Sequence, residues 1–163
     1  MRIAIISDIH DNLVNLKKCL AWCRKEEIKT ILCCGDVTNS ETLAYLSDNF
    51  SGIIYLIRGN MEIYDEAEVK NYKNIKYLGR YGRVELADKK IGICHEPAFI
   101  DKVLGLEECG LVFYGHTHQP WTEAISNVKI YNPGTLGGVF SKATFAYWDV
   151  SKAEPELKIL ENI

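Results

Sequence analysis

Positive charge is the scarcer sign in this chain: 19 lysines and arginines stand against 22 aspartates and glutamates over 163 residues, for a formal net charge of −3. Proteins that hold duplex nucleic acid by its phosphates carry a basic excess or stripe, so no such partner is expected. Long apolar runs are missing too. The opening run Ile3–Ile6 is too short for a signal-peptide core and meets charge at Asp8. No segment approaches the ~20 residues of a membrane span, and the expectation is a cytoplasmic protein without a membrane partner. The six cysteines (Cys19, Cys23, Cys33, Cys34, Cys94 and Cys109) form no Cys-x-x-Cys pair. They read as small buried thiols rather than a disulfide framework or a thiolate metal site. Repeats, low-complexity tracts and linkers are absent as well, so residues 1–163 read as one domain of ordinary size. Histidine is also scarce; there are four.

What is present has a regular order. Arg2–Ile6 is a short apolar run ending in Ser7-Asp8 and reads as a buried strand. Asp11 or Asn12 can cap a helix whose apolar positions Leu13, Leu16, Leu20 and Cys23 follow helical spacing. Thr30–Cys34 is the next strand, stopped by Gly35. Glu41–Asn49 is a weaker helix, and Gly52–Arg58 a third strand stopped by Gly59. This alternation, with polar loops after each strand, signals a parallel α/β sheet. After Glu62 the chain turns β-rich. Arg83–Ala87 and Lys90–Cys94 predict a hairpin turning at Asp88-Lys89. Pro97–Leu106 reads as helix and Leu111–Tyr114 as strand. Trp121–Ile125 and Val128–Tyr131 flank Ser126-Asn127 as another hairpin, and Thr144–Val150 and Glu156–Leu160 end the chain as strands. A second sheet packed on the first would bury this half.

The chemistry lies just past the apolar runs. Asp8-Ile9-His10 follows the first, Gly35-Asp36 the second and Gly59-Asn60 the third; His95 follows Ile91–Cys94, and Gly115-His116-Thr117-His118 follows Leu111–Tyr114. The carboxyl ends of strands form the ligand-binding edge of an α/β sheet, so these donors can converge. In extended chain, Asp8 and His10, or His116 and His118, would project to the same side. Seven donors exceed one tetrahedral ion and suit two metals sharing a carboxylate. Mixed nitrogen and oxygen ligands favour Mn²⁺, Fe²⁺, Co²⁺, Ni²⁺ or Zn²⁺ over Ca²⁺ and Mg²⁺.

This ordered set resembles the calcineurin-like metallophosphoesterase superfamily. The small size and Asn132-Pro133-Gly134 are similar to its compact, single-domain archaeal and bacterial phosphodiesterases. The resemblance runs from Asp8 to Gly134 and implies a four-layer α/β/β/α sandwich of two mixed β-sheets flanked by helices. It implies that Asp8, His10 and His118 hold one metal ion, that Asn60, His95 and His116 hold a second, and that Asp36 bridges them. Manganese is the ion expected first, with nickel, iron, cobalt or zinc as alternatives. A hydroxide between the ions would attack phosphorus, and Asn60 would also touch the substrate phosphate, so Asp36 and Asn60 are the candidate catalytic residues. A small phosphodiester, or less readily a phosphomonoester, is the implied substrate, and a homodimer or homotetramer the implied assembly.

Two positions depart from the family pattern. Many members carry histidine after Gly-Asn to protonate the leaving oxygen; here Met61 stands there and can donate nothing. Glu62, or Tyr64, is the nearest substitute acid. A second histidine near the phosphate is often found after the equivalent of His95, where this chain reads Glu96-Pro97. If Glu96 faces the cleft, its charge disfavours dianionic monoesters. Asn132-Pro133-Gly134 reads as a turn, and Trp121 as packing on the second sheet. The alternative to an enzyme is a metal-binding scaffold resembling the retromer subunit of this fold, and the complete ligand set argues against it.

Overall fold

The computed structural model describes residues 1–106 and 108–163. Strands β1 (Arg2–Ile6), β2 (Thr30–Cys33) and β3 (Ile53–Leu56) pair in parallel, as the alternation of runs predicts. Helix α1 (Leu13–Lys25) begins where the Asn12 side chain accepts the Asn15 N–H. Helix α2 (Ser40–Asp48) begins where Asn39 does the same for Thr42. Each cap satisfies an N–H that the first helical turn leaves without a partner. Leu16, Cys19, Leu20, Leu43 and Leu46 turn inward to one face of the sheet. The acidic stretch after Tyr64 supplies only the single-turn α3 (Glu66–Val69), capped by Asp65. The short β4 (Ile75–Tyr77), which the sequence pattern does not reveal, extends the parallel set.

The second sheet holds β5 (Tyr81–Leu86), β6 (Lys89–Cys94), β7 (Leu111–Phe113), β8 (Trp121–Ile125) and β9 (Val128–Asn132) in the order β5-β6-β7-β9-β8. Its inner face meets the first sheet through Val84, Ile91, Ile93 and Phe113, packed against Ile3, Ile5, Leu32 and Trp148. Mixed pairing results: β6, β7 and β9 run parallel, with antiparallel neighbours at both edges. The turn between β5 and β6 falls one residue earlier than expected, at Ala87-Asp88. Both take the left-handed conformation (φ 48° and 60°) that a tight two-residue hairpin demands.

The last two strands, β10 (Thr144–Asp149) and β11 (Glu156–Ile159), do not join the second sheet. They return to the first, β10 antiparallel to β1. The reason lies in β10 itself, whose Phe145 enters the helix-covered core while Ala146 and Trp148 enter the core between the sheets. A strand apolar on both sides needs an interior place. The predicted helix at Pro97–Leu106 is a 3₁₀ turn (Pro97–Phe99) followed by α4 (Ile100–Leu104), whose Ile100 and Val103 pack against Cys94 and Val112. The outer layer on this side is therefore thin. All five residues of edge strand β8 are exposed, and Trp121 is 58 % exposed instead of packed on its sheet. The six cysteines are free thiols and buried.

Candidate metal centre

Strand ends β1, β2, β3, β6 and β7 deliver their polar residues to one rim. Here the extended-chain expectation fails: Asp8, His10, Asp36, His116 and His118 all have left-handed backbones, with φ between 46° and 70°. The chain leaves β1 by turning its N–H groups onto the next loop, Asp8 N–H to the Gly35 carbonyl and Ile9 and His10 N–H to that of Asp36. That cross-bonding, rather than strand alternation, aims the side chains. Two glycines make room for it. A Cβ on Gly59 would lie 2.0 Å from Asp36 Oδ1, and one on Gly115 would lie 1.9 Å from Ser7 Oγ.

The seven predicted donors come together in one chain of contacts. His10 Nε2 lies 3.0 Å from His118 Nε2, and His118 Nε2 lies 3.2 Å from Asp8 Oδ1. Asp36 Oδ2 is 3.7 Å from His10 Nε2 and 3.3 Å from His95 Nε2, between the two groups. Asn60 Oδ1 is 2.9 Å from His95 Nε2 and 2.8 Å from His116 Nδ1. Asp8 also accepts the His116 backbone N–H. Asp8, His10 and His118, and Asp8, Asp36 and His95, each converge closely enough to hold a metal ion. Asp8, Asp36 and His95 are almost wholly buried, whereas Asn60 and His116 are exposed.

Backbone contacts fix which atoms face inward. His95 Nδ1 lies 2.7 Å from the Cys34 carbonyl, which can only accept, so this nitrogen carries the proton and Nε2 presents its lone pair to Asp36 and Asn60. His118 Nδ1 is held more loosely, 3.4 Å from the Val139 carbonyl. Asp36 Oδ1 accepts the Met61 N–H at 2.9 Å, leaving Oδ2 for the imidazoles. Such supporting bonds orient metal ligands and fix their tautomers. The site attracts positive charge. The neighbouring carboxylates of Asp8 and Asp36 raise the His10 pKa above its ordinary value. Burial opposes the charged form of His95, but Asp36 outweighs it and the pKa rises. Burial likewise opposes ionisation of Asp36, and His95 reverses it, so the carboxyl stays below the usual range. Protons and metal ions compete for these same lone pairs.

The neighbouring residues fall into bracing roles. Glu62 accepts N–H groups from Val37 (3.2 Å), Thr38 (2.7 Å) and Gly59 (3.2 Å), so both of its oxygens tie the Asp36 loop to the Asn60 loop. Burial pushes its pKa up. Tyr64 is buried in the helix-side core, and the Met61 side chain is 52 % exposed. Asn132 is buried and donates from Nδ2 to the Gly115 carbonyl and Thr117 Oγ1, so the turn at 132–134 also fastens the His116 loop. Sequence reasoning missed two supports: Thr135 Oγ donates to the Asp8 carbonyl, and Asn15 to the carbonyls of Leu136 and Gly137. Nothing local in Thr135 signals a contact made 127 residues away.

A profile of the calcineurin-like phosphoesterase superfamily domain matches residues 1–153. The chain is 28 % identical over 170 residues to Phosphodiesterase MJ0936 of Methanocaldococcus jannaschii, covering 99 % of this chain and 100 % of that protein. It is also 28 % identical to Probable metallophosphoesterase MJ0623 of the same organism, covering 83 % of this chain and 68 % of that one. Among solved structures, an archaeal phosphodiesterase matches with a TM-score of 0.87 at 25 % identity, covering 98 % of this chain and 99 % of that one. Vps29 of Chaetomium thermophilum matches with a TM-score of 0.73 at 19 % identity over 96 % and 86 % of the two chains, a likeness of fold alone.

Proposed function

The chain belongs to the calcineurin-like phosphoesterase superfamily, and from that premise we propose that it hydrolyses phosphodiesters in preference to phosphomonoesters, using two divalent transition-metal ions. One observation carries the reading. Atoms that can ligate metal ions crowd together at His10 Nε2–His118 Nε2 (3.0 Å) and at His95 Nε2–Asn60 Oδ1 (2.9 Å), with Asp36 Oδ2 between the two pairs. Such a cluster of nitrogen and oxygen donors suits a shared cation, which protons and metal ions compete to supply. In this reading Asp8, His10 and His118 hold one ion, Asn60, His95 and His116 the other, and Asp36 both.

Two such ions supply a hydroxide nucleophile at neutral pH and neutralise charge on a phosphoryl group. The chain's own residues position and select. Met61 N–H keeps one Asp36 oxygen turned aside so that the other serves the centre. With Asn60 Oδ1 turned to two histidines, its amide nitrogen is left to donate to a phosphate oxygen. Among the described residues no lysine or arginine forms an ion pair with any of the seven. The preference for a singly charged diester over a doubly charged monoester is taken from the relatives that match over the full length, which are named phosphodiesterases. Glu62 is assigned to bracing the loops, not to proton donation, because both its oxygens accept from backbone. Esters with good leaving groups should react best, since general-acid help is worth about 10²–10⁴-fold where present.

The test is turnover of a bis-aryl and a mono-aryl phosphate by protein loaded with Mn²⁺, beside His118→Ala, with metal content measured for both. Faster diester hydrolysis by the wild type supports the reading. Wild type that binds metal yet is as inactive as His118→Ala would overturn it, and would favour a scaffold.

A further inference from the structure

Phe140 is an aromatic side chain left in water beside the candidate metal centre. It is 99 % exposed, and its backbone is left-handed (φ 62°), a conformation uncommon for a bulky residue. Exposure and strain both weigh against it, and residues held this way gather at ligand sites. The segment is not loose. The carbonyl of Val139, on one side of Phe140, faces His118 Nδ1 at 3.4 Å, and Ser141 Oγ, on the other side, donates to the His118 carbonyl at 3.0 Å. Upstream, Gly137 N–H is bonded to the Asp8 carbonyl, and Asn12 and Asn15 hold the Gly137 carbonyl. A firmly tied loop thus presents one unsupported ring. Phe140 lines a cleft of about 380 Å³ together with His116, Thr117, His118, Gln119 and Ser141.

We propose that Phe140 is a specificity-determining residue, a wall against which a phosphoester substrate lays an aromatic ester arm such as an aryl group or a nucleobase. This rests on the phosphoesterase reading and sharpens it. The histidines of the cleft face the phosphoryl group, and the phenyl ring faces what that group carries. An aliphatic arm as small as methyl leaves the ring in water, while a planar arm covers it by offset stacking or an edge contact. Selection by Phe140 therefore acts on the organic group and not on the phosphate.

Binding of methylphenylphosphinate and dimethylphosphinate, which share a singly charged phosphinate head and are not esters, tests this by calorimetry on metal-loaded protein. The wild type is expected to bind the phenyl compound about tenfold more tightly. Phe140→Ala should lose about five- to tenfold for methylphenylphosphinate and stay within twofold for dimethylphosphinate, with metal content unchanged. Phe140→Trp should keep the preference. Equal affinity of the wild type for the two ligands, or an equal loss for both in Phe140→Ala, would overturn the role of Phe140 while leaving phosphoryl recognition intact. Failure of both ligands to bind the metal-loaded wild type would instead remove the phosphoesterase reading, and this inference with it.

Discussion

The two sides of the candidate metal centre are built differently. Asp8, Asp36 and His95 are almost wholly buried and leave directly from strands whose apolar residues form the core. Asn60 and His116 are exposed, and His10 and His118 half-exposed, on loops held by side-chain braces. Buried donors are immobile but must be satisfied in the fold itself, since an unpaired buried polar group is expensive. Exposed donors can be satisfied by water and are free to answer to a ligand. The difference teaches that substitutions on the buried side should disturb both fold and function, while those on the exposed side should disturb function alone.

Asp36→Ala should have the largest effect. It removes a carboxylate oxygen that lies 3.7 Å from His10 Nε2 and 3.3 Å from His95 Nε2 and strips the Met61 N–H of its acceptor. Diester turnover is expected to fall by roughly 10³-fold, about 4 kcal/mol of transition-state stabilisation, and elemental analysis should find fewer than two ions per chain. Removing metal with a chelator is the next test. An ion that binds only the folded state at a hundred times its dissociation constant stabilises it by about 2.7 kcal/mol, and at ~2–4 °C per kcal/mol for a chain of this size the melting temperature should drop by about 5–11 °C for each ion removed. An unchanged melting temperature would speak against a resident metal.

The pair His95→Ala and His116→Ala addresses the comparison directly. His95 removal opens a cavity and leaves the buried Cys34 carbonyl without its donor, so about 2–3 kcal/mol of stability should be lost in urea unfolding. His116→Ala, on an exposed loop, should stay within about 0.5 kcal/mol while still lowering turnover. Comparable destabilisation by both would erase the distinction between the two sides. Glu62→Gln should act more gently: its amide meets the N–H groups of Val37, Thr38 and Gly59 with one acceptor instead of two, at a cost of about 1–2 kcal/mol. The shape of the pH–rate profile should be kept, whereas loss of one limb would show that Glu62 moves a proton. Trp121→Ala, on the exposed edge strand, should change stability by less than about 0.5 kcal/mol.

Much of this centre was legible in the linear order of residues. Each apolar run is followed by its donor, and an α/β sheet sends strand ends to one edge whatever the loop details. The failures are equally physical. Left-handed backbones at Asp8, His10, His116 and His118 depend on hydrogen bonds between loops distant in sequence, so a local extended-chain argument could not foresee them. Glu62 suggested a substitute acid because it stands next to Met61, where the family's donor is missing, yet its partners Val37 and Thr38 lie more than twenty residues away. Trp121 reads as packing on the second sheet, yet it opens β8, an edge strand whose five residues are all exposed.

What the sequence determined by itself was the inventory and its order: a balance short of positive charge, no long apolar run, six thiols outside any metal spacing, and seven donors each placed at the end of an apolar run. Those features are local, and local patterning of strands and turns expresses them directly. Only the tertiary structure decided which atoms of those donors face one another, which glutamate is a brace, which sheet receives the last two strands, and that Phe140 stands uncovered beside His118. These depend on contacts across a hundred residues or more, as between His10 and His118, and such contacts are set by packing and by the need to pair every buried polar group, not by neighbours in the chain.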